Sequence, residues 1–194
     1  MNKIKVLIEG YAKKINDGWL ASSTVTFVES NGKKIIVDPG CNRQKLVEEL
    51  EKINLKPNDI DFVFLTHNHT DHILLTGMFE NAKVLNDTEI YDSDKQVEHH
   101  GEIPGTDLKI ILTPGHDQFH SALVVPTNNG IYVVAGDVFW WMDDEEQKTK
   151  FDSLVNHKDP YVKNLTQLIT SRKKVLSLAD WIIPGHGKMF KVEK

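Results

Sequence analysis

The chain has 194 residues, 40% of them hydrophobic and 26% charged, with a formal net charge of -5 and a sequence pI of about 6.0. That length is enough for one domain, 1–194, with a sizeable core, and the acidic balance argues against a broad nucleic-acid footprint. A lone cysteine, Cys41, excludes an intrachain disulfide and a thiolate zinc cage; with no signal-peptide core and no apolar run of membrane-spanning length, a cytoplasmic protein without a membrane partner is expected.

Taken in chain order, residues 3–11 (KIKVLIEGY), 23–30 (STVTFVES) and 33–38 (KKIIVD) are rich in β-branched side chains and predict strands. Asn31-Gly32 supplies the positive φ of a tight turn between the last two. The stretch NRQKLVEELEKIN predicts a helix capped by Asn42, with Leu46, Leu50 and Ile53 on one face, and LKPND ends it. Asp61 to Leu65 is a near-continuous apolar run, as expected of a strand covered on both faces. Short strands are predicted at 83–86, 108–112, 121–126 and 131–135, with TNNG as a turn before the last. The stretch 159–178 predicts a helix, with Asp159 as its cap, Pro160 at its first position and an apolar stripe from Val162 to Leu176. Its SRKK segment (171–174) reads as a basic last part of the helix. ADWII then predicts a final strand. Each half runs strands first and helix after, which predicts an α+β architecture of two packed sheets with outer helices.

The densest chemistry lies in THNHTDH, residues 66–72. His67 and His69 alternate at the end of a strand and can face one side. Asp71 and His72 follow in a turn into a helix. Imidazole nitrogen and carboxylate oxygen suit zinc and similar divalent ions. The two-residue spacing is not that of the helical H-E-x-x-H motif. Three later residues belong with this cluster: His116 in TPGH, Asp137 in VVAGD and His186 in IIPGH. Each sits where an apolar strand ends in a turn, and rigid strand ends preorganise a site well. Around them, His120 reads either as support for the site or as a structural histidine. Trp140 and Trp141 could wall a substrate pocket or stack on a base, or equally pack a loop or a homodimer contact. His99, His100 and the DDEE loop (143–146) read as surface, and Cys41 as a semi-buried structural residue.

The ordered set Asp38, His67, His69, Asp71, His72, His116, Asp137 and His186 resembles the signature of the metallo-β-lactamase superfamily, H-x-H-x-D-H followed by separate His, Asp and His motifs. The resemblance implies an αββα sandwich with the site at the sheet edge. It places one divalent metal ion on His67, His69 and His116, and a second on Asp71, His72 and His186. Asp137 then bridges the two, and Asp38 supports the ligand loops. It implies a hydrolase whose nucleophile is a metal-bridging hydroxide, with Asp71 orienting it or moving a proton. Zinc is favoured by the histidine-rich set, and iron or manganese also fits. VLIEGY, VVAGDVF and SRKKVLSLADWIIPGHGKMFKV are further similar to the small family named metallo-β-lactamase domain-containing protein 1, whose eukaryotic members are linked to RNA 3′-end cleavage. That puts a phosphodiesterase acting on RNA first. A hydrolase of small ester-like acyl substrates, thiolesters or lactones, is the alternative, and a metal-stabilised binding protein without turnover is the third reading. A basic surface near the site separates the first two, because RNA requires it and a small acyl group does not.

Overall fold

Alternation within single strands builds the layers. A computed structural model describes residues 1–193. Strands β1 (Lys3–Ile8), β2 (Tyr11–Ile15), β3 (Gly18–Ser22), β4 (Val25–Ser30) and β5 (Lys33–Val37) precede helix α1 (Arg43–Lys52). Then come β6 (Phe62–Phe64), the one-turn helix α2 (Thr70–Ile73), β7 (Lys83–Leu85), β8 (Glu89–Asp92) and β9 (Lys95–Glu98). The second half holds β10 (Lys109–Leu112), β11 (Ser121–Thr127), β12 (Gly130–Trp140), α3 (Phe151–Val155), α4 (Leu165–Leu178), β13 (Trp181–His186) and β14 (Phe190–Lys191). A seven-stranded sheet runs in the order β1-β4-β5-β6-β7-β8-β9 and a five-stranded sheet in the order β10-β11-β12-β13-β14.

Phe62 and Phe64 of β6 point into the core between the sheets, whereas Val63 and Leu65 pack outward with Leu46 and Leu50 of α1. In β12, Val134 faces inward while Val133 and Ala135 pack with Leu168 and Val175 of α4. A strand covered on both faces needs apolar residues at every position, which is why these runs are continuous. The result is the expected αββα sandwich. At one edge the two sheets are joined directly, the Ser121 N–H donating to the Thr66 carbonyl at 2.8 Å. Asn31 and Gly32 take the predicted positive φ values, 49° and 78°.

Four expectations change. The strand expected over 3–11 is broken after Ile8, because Gly10 leaves β1 to bridge Gly187. Tyr11 then starts a separate hairpin, β2-β3, that belongs to neither main sheet. The helix expected from 159 begins only at Leu165: Asn164 caps it by accepting from Gln167 N–H, and the Lys163 and Asn164 N–H groups both donate to the Gly115 carbonyl. Asp159 is therefore not a helix cap. Nor is Arg172 part of a basic surface. It is fully buried, donating from Nε to the Val138 carbonyl and from one terminal nitrogen to the Val155 and His157 carbonyls. Burial lowers its guanidinium pKa to about 10, so it stays charged at neutral pH. Arg172 pins α4 to β12, to the end of α3 and to the segment that follows α3, behind the site. Arg172→Ala leaves three buried carbonyls without their donor and should cost at least about 3 kcal/mol in urea unfolding. A cost below about 1 kcal/mol would mean those carbonyls find other donors.

Candidate metal centre

The ligand-type residues arrive at one edge because the strands that carry them end there. Asp38 follows β5, His67 follows β6, and His116 lies between β10 and β11. Asp137 and His186 come from the paired strands β12 and β13, which run parallel. Gly136 adopts φ of 50° immediately before Asp137, and a Cβ there would lie 2.6 Å from Thr66 Oγ1. A Cβ on Gly185 would lie 1.8 Å from Asp137 Oδ1. The chain can place this carboxylate only beside two residues without side chains.

Asp137 is the centre of the arrangement. His67 Nε2 and His116 Nε2 lie 3.7 and 3.3 Å from its Oδ2, and His72 Nε2 and His186 Nε2 lie 3.3 and 3.8 Å from its Oδ1. Each oxygen thus faces a different cluster. His69 Nδ1 joins the first, 3.2 Å from His116 Nε2, and Asp71 Oδ2 joins the second, 3.2 Å from His186 Nε2. In each cluster, His67, His69, His116 and Asp137 or Asp71, His72 and His186, the ligand atoms lie within 4.8 Å of one another. All the expected ligand residues are together, in the expected two groups.

The far nitrogens decide what these imidazoles can do. His186 Nδ1 faces the Tyr11 carbonyl at 3.1 Å, and a carbonyl only accepts, so the proton sits on Nδ1. His116 Nδ1 donates to Asp159 at 2.7 Å and His72 Nδ1 to Asp38 at 2.8 Å. Thr66 Oγ1 donates to Asp38 at 2.7 Å and so accepts from His67 Nδ1 at 3.0 Å. Every one of these histidines directs a lone pair at the centre, the tautomer a metal ligand requires. Among the described residues, the buried atoms His67 Nε2, His72 Nε2 and Asp137 Oδ1 have no hydrogen-bond partner. Buried polar atoms without partners are costly, and these converge on one point, so the residues fit divalent cations.

The supporting residues divide cleanly. Asp38 holds φ of 49°, a strained conformation that Asp tolerates better than most residues, and accepts from Thr66 N–H and Oγ1 and from His72. His120 has both nitrogens engaged, Nδ1 with Thr113 Oγ1 and Nε2 with the Asp137 N–H, so it positions Asp137 and has no lone pair to give a metal. Burial lowers its pKa to about 3, which keeps it neutral. Asp159 is the partner that sequence reasoning missed. Its Asp-Pro dipeptide carries the signature of a helix start, and nothing local shows that the carboxylate turns back to His116. His99 hydrogen-bonds the Asn86 carbonyl and Gly101 N–H, away from the cluster.

Without cations the charges must be balanced by protons. Burial disfavours charge on His72, but Asp137 and Asp38 override it and lift the imidazole well above its ordinary value. His116 is raised likewise, burial opposing and Asp159 prevailing. His67, dominated by burial, is pushed well below. Burial would raise the Asp137 carboxyl, yet His72 and His186 hold it well below the usual range.

A cavity of about 480 Å³ opens onto the cluster. Ala12, Trp19, Ala21, Leu74, Trp140 and Tyr161 form its apolar walls. Of the two tryptophans, Trp140 lines the cavity, its ring 6.5 Å from His116 and 6.1 Å from His186. Trp141 points the other way, against Phe190 and His157, and walls no part of this cavity. Both are buried, so the exposed surface on which a homodimer was expected does not exist at this pair. No helix among the described residues is long and apolar enough to cross a membrane.

Residues 18–87 match the model of the metallo-β-lactamase superfamily. Over 203 aligned residues the chain is 31% identical to metallo-β-lactamase domain-containing protein 1 of Xenopus laevis, covering 100% of this chain and 83% of that protein. Among solved structures it resembles AidC, a dizinc quorum-quenching lactonase (TM-score 0.63, 17% identity, 92% of this chain and 78% of that one). It also resembles the chemotaxis sensor ODP, solved as a peroxy diiron species (TM-score 0.68, 15% identity, 98% and 86%). At those identities the structures establish a shared fold.

Two outcomes are expected. Zinc added to metal-free protein at pH 7 should release protons, and apparent affinity should rise with pH above about 6.5, since the cation displaces protons from His72 and His116. Absence of proton release in a weakly buffered titration would show both imidazoles already neutral. Asp159→Asn should weaken metal binding about 10- to 100-fold in competition with a chelating dye, and unchanged affinity would remove Asp159 from the support of the site.

Proposed function

The chain belongs to the metallo-β-lactamase superfamily, and we propose that it is a binuclear metal-dependent hydrolase of small, uncharged acyl substrates: esters, thiolesters or lactones. The observation that carries this reading is the cavity lining. Beyond the metal-facing residues its walls are mostly apolar, with Cys41 and Thr70 the other small side chains, and no Lys or Arg among the described residues lines it. A phosphodiester brings a fixed negative charge, and proteins that hold nucleic acid meet that charge with Lys or Arg. A neutral carbonyl compound needs no such partner.

His67, His69 and His116 would hold one cation, Asp71, His72 and His186 the other, and Asp137 would be shared. Zinc is the favoured occupant of so nitrogen-rich a set; the dizinc lactonase of the same fold supports it, while the diiron sensor keeps iron in view. Cations bound there supply a water acidic enough to ionise near neutral pH and a Lewis acid for the carbonyl oxygen. The protein's own residues do the rest. Burial opposes the charge on Asp71, but the neighbouring His186 and His72 keep the carboxyl below the ordinary range. It is therefore ionised at neutral pH, and it is the most exposed carboxylate of the cluster, placed to orient a water and take its proton. Trp140 excludes solvent from the side next to His116 and His186.

Zinc-loaded protein should hydrolyse members of an ester, thiolester and lactone panel, and Asp71→Ala should reduce the rate at least about 100-fold. Cleavage of labelled single-stranded RNA, with no turnover of the acyl panel, would replace this reading with the phosphodiesterase. Full metal loading with neither activity would leave a metal-stabilised binding protein.

A further inference from the structure

Among the ligand histidines whose far nitrogen is bonded, His186 alone leans on the main chain. The far nitrogens of His72 and His116 meet the carboxylates of Asp38 and Asp159, and that of His67 meets the Thr66 hydroxyl. His186 Nδ1 meets the Tyr11 carbonyl. The backbone of His186 is well fixed: the Trp141 N–H donates to its carbonyl at 3.2 Å, and the Gly187 N–H donates to the Gly10 carbonyl at 3.0 Å. The direction of its ring depends instead on where β2 puts the Tyr11 carbonyl. β2 pairs with β3 alone, in a ribbon that belongs to neither main sheet, and a two-stranded ribbon has little stability of its own. The Asn42 amide reaches the Tyr11 hydroxyl at 3.1 Å, which fixes the side chain and not the carbonyl. The residue that follows Tyr11 is held at both main-chain groups by one partner. The Asp143 N–H donates to the Ala12 carbonyl at 2.9 Å, and the Ala12 N–H donates to Asp143 Oδ1 at 3.0 Å. The same loop is fastened again at Gln147, whose amide donates to the Lys188 carbonyl at 2.6 Å and accepts from the Lys188 N–H at 2.9 Å. Residues 143–147 thus clasp His186 from two sides, through the strand that backs its ring and through the turn that follows it.

We propose that Asp143 is a positioning residue for the cation of the Asp71, His72 and His186 cluster. It touches neither that cation nor a substrate. It acts through Ala12 and the Tyr11 carbonyl, holding the His186 ring in the direction that faces Asp71 and Asp137. The other cluster has no such dependence, because Asp159 orients His116 directly. Loss of Asp143 should therefore weaken one cation site and spare the other. The acidic run 143–146 reads as solvated surface, and Asp143 is indeed exposed like Asp144 beside it; its paired bonds to Ala12 are what give it this task. The inference rests on the two-cation part of the reading above and is independent of the chemistry of the substrate.

The test is titration of metal-free protein with cobalt(II), followed by visible absorption, which reports the coordination of each ion, and by equilibrium dialysis for stoichiometry. Native protein should take up two ions. Asp143→Ala should keep the affinity for one and weaken the other at least about ten-fold, the scale of loss when a ligand histidine loses its support. Asp143→Asn keeps an oxygen that can accept from the Ala12 N–H and should bind both ions as native protein does. Asp143 is exposed, so neither substitution opens the core, and urea unfolding of both metal-free variants should stay close to native. Native affinities for both ions in Asp143→Ala would overturn the proposal, and so would equal weakening of both or an Asn variant as damaged as the Ala variant. Loss of the folded state in Asp143→Ala would overturn it too, since Asp143 would then serve the fold as a whole. A native protein that takes up only one ion would sink the two-cation reading, and this inference with it.

Discussion

A buried carboxylate surrounded by imidazole lone pairs is the constraint on which the rest of the structure depends. Asp137 has four histidine nitrogens within 3.8 Å and almost no contact with water. Such a group is strongly unfavourable unless cations or protons compensate it. Its position dictates local sequence, since Gly136 and Gly185 have no room for a Cβ beside it or its neighbours. It dictates topology as well, because a parallel pairing of β12 with β13 is what sets Asp137 next to His186. The Ser121–Thr66 backbone bond closes the two sheets around the same edge. The far nitrogens of His67, His72, His116 and His186 are tied to rigid groups, so their lone pairs converge without further reorganisation.

That these residues cluster was legible because they carry chemistry that has few uses elsewhere. Three histidines and an aspartate follow one strand, and three further residues each sit directly after a glycine, Gly115, Gly136 or Gly185, at or near an apolar strand. The two-face burial of residues 61–65 was legible for a similar reason: an unbroken apolar run must be covered on both sides. What the sequence concealed were interactions decided by distant partners. Asp159 reads as a helix cap because Asp-Pro fits that role locally, and only the fold reveals that His116 has claimed its carboxylate. Arg172 reads as surface beside two lysines, since no local pattern announces three carbonyls converging from other elements. The β2-β3 hairpin was invisible for another reason. Its outer positions are exposed, so the alternation that marks a half-buried strand is weak there, and Asn16-Asp17-Gly18 was the only signal of its turn.

The two components of the cavity differ in rigidity, and that difference matches their separate tasks. The cluster is built on buried strand ends, with hydrogen bonds that fix the rings of His67, His72, His116 and His186. The wall that faces it is a ribbon anchored at one end, with its largest side chain at the unanchored end. Chemistry needs ligand atoms held to fractions of an ångström, whereas recognition of an apolar group tolerates a surface that adjusts. A loop carried on a rigid scaffold is the usual solution to this pairing.

Charge balance joins the cluster to the kind of substrate it can accept. Asp38, Asp71, Asp137 and Asp159 each bond or face a ligand histidine, and the tautomers assigned above leave those histidines neutral when they ligate. Four carboxylates are matched by two divalent cations, while a single cation would leave two negative charges in a largely dry cluster. That balance supports the two-cation reading proposed above. If those charges cancel, the cavity above them offers little to stabilise a further anion: its walls are Ala, Leu, Trp and Tyr with Cys41 and Thr70, and the described part of the lining holds no Lys or Arg. A phosphodiester would bring its own charge into that space and depend on the metals alone to compensate it. A neutral acyl compound develops negative charge only as the carbonyl is attacked, next to the cations, while its apolar remainder gains from the walls. On the proposed reading, the residues that would balance two cations are the same ones that favour an uncharged, apolar substrate.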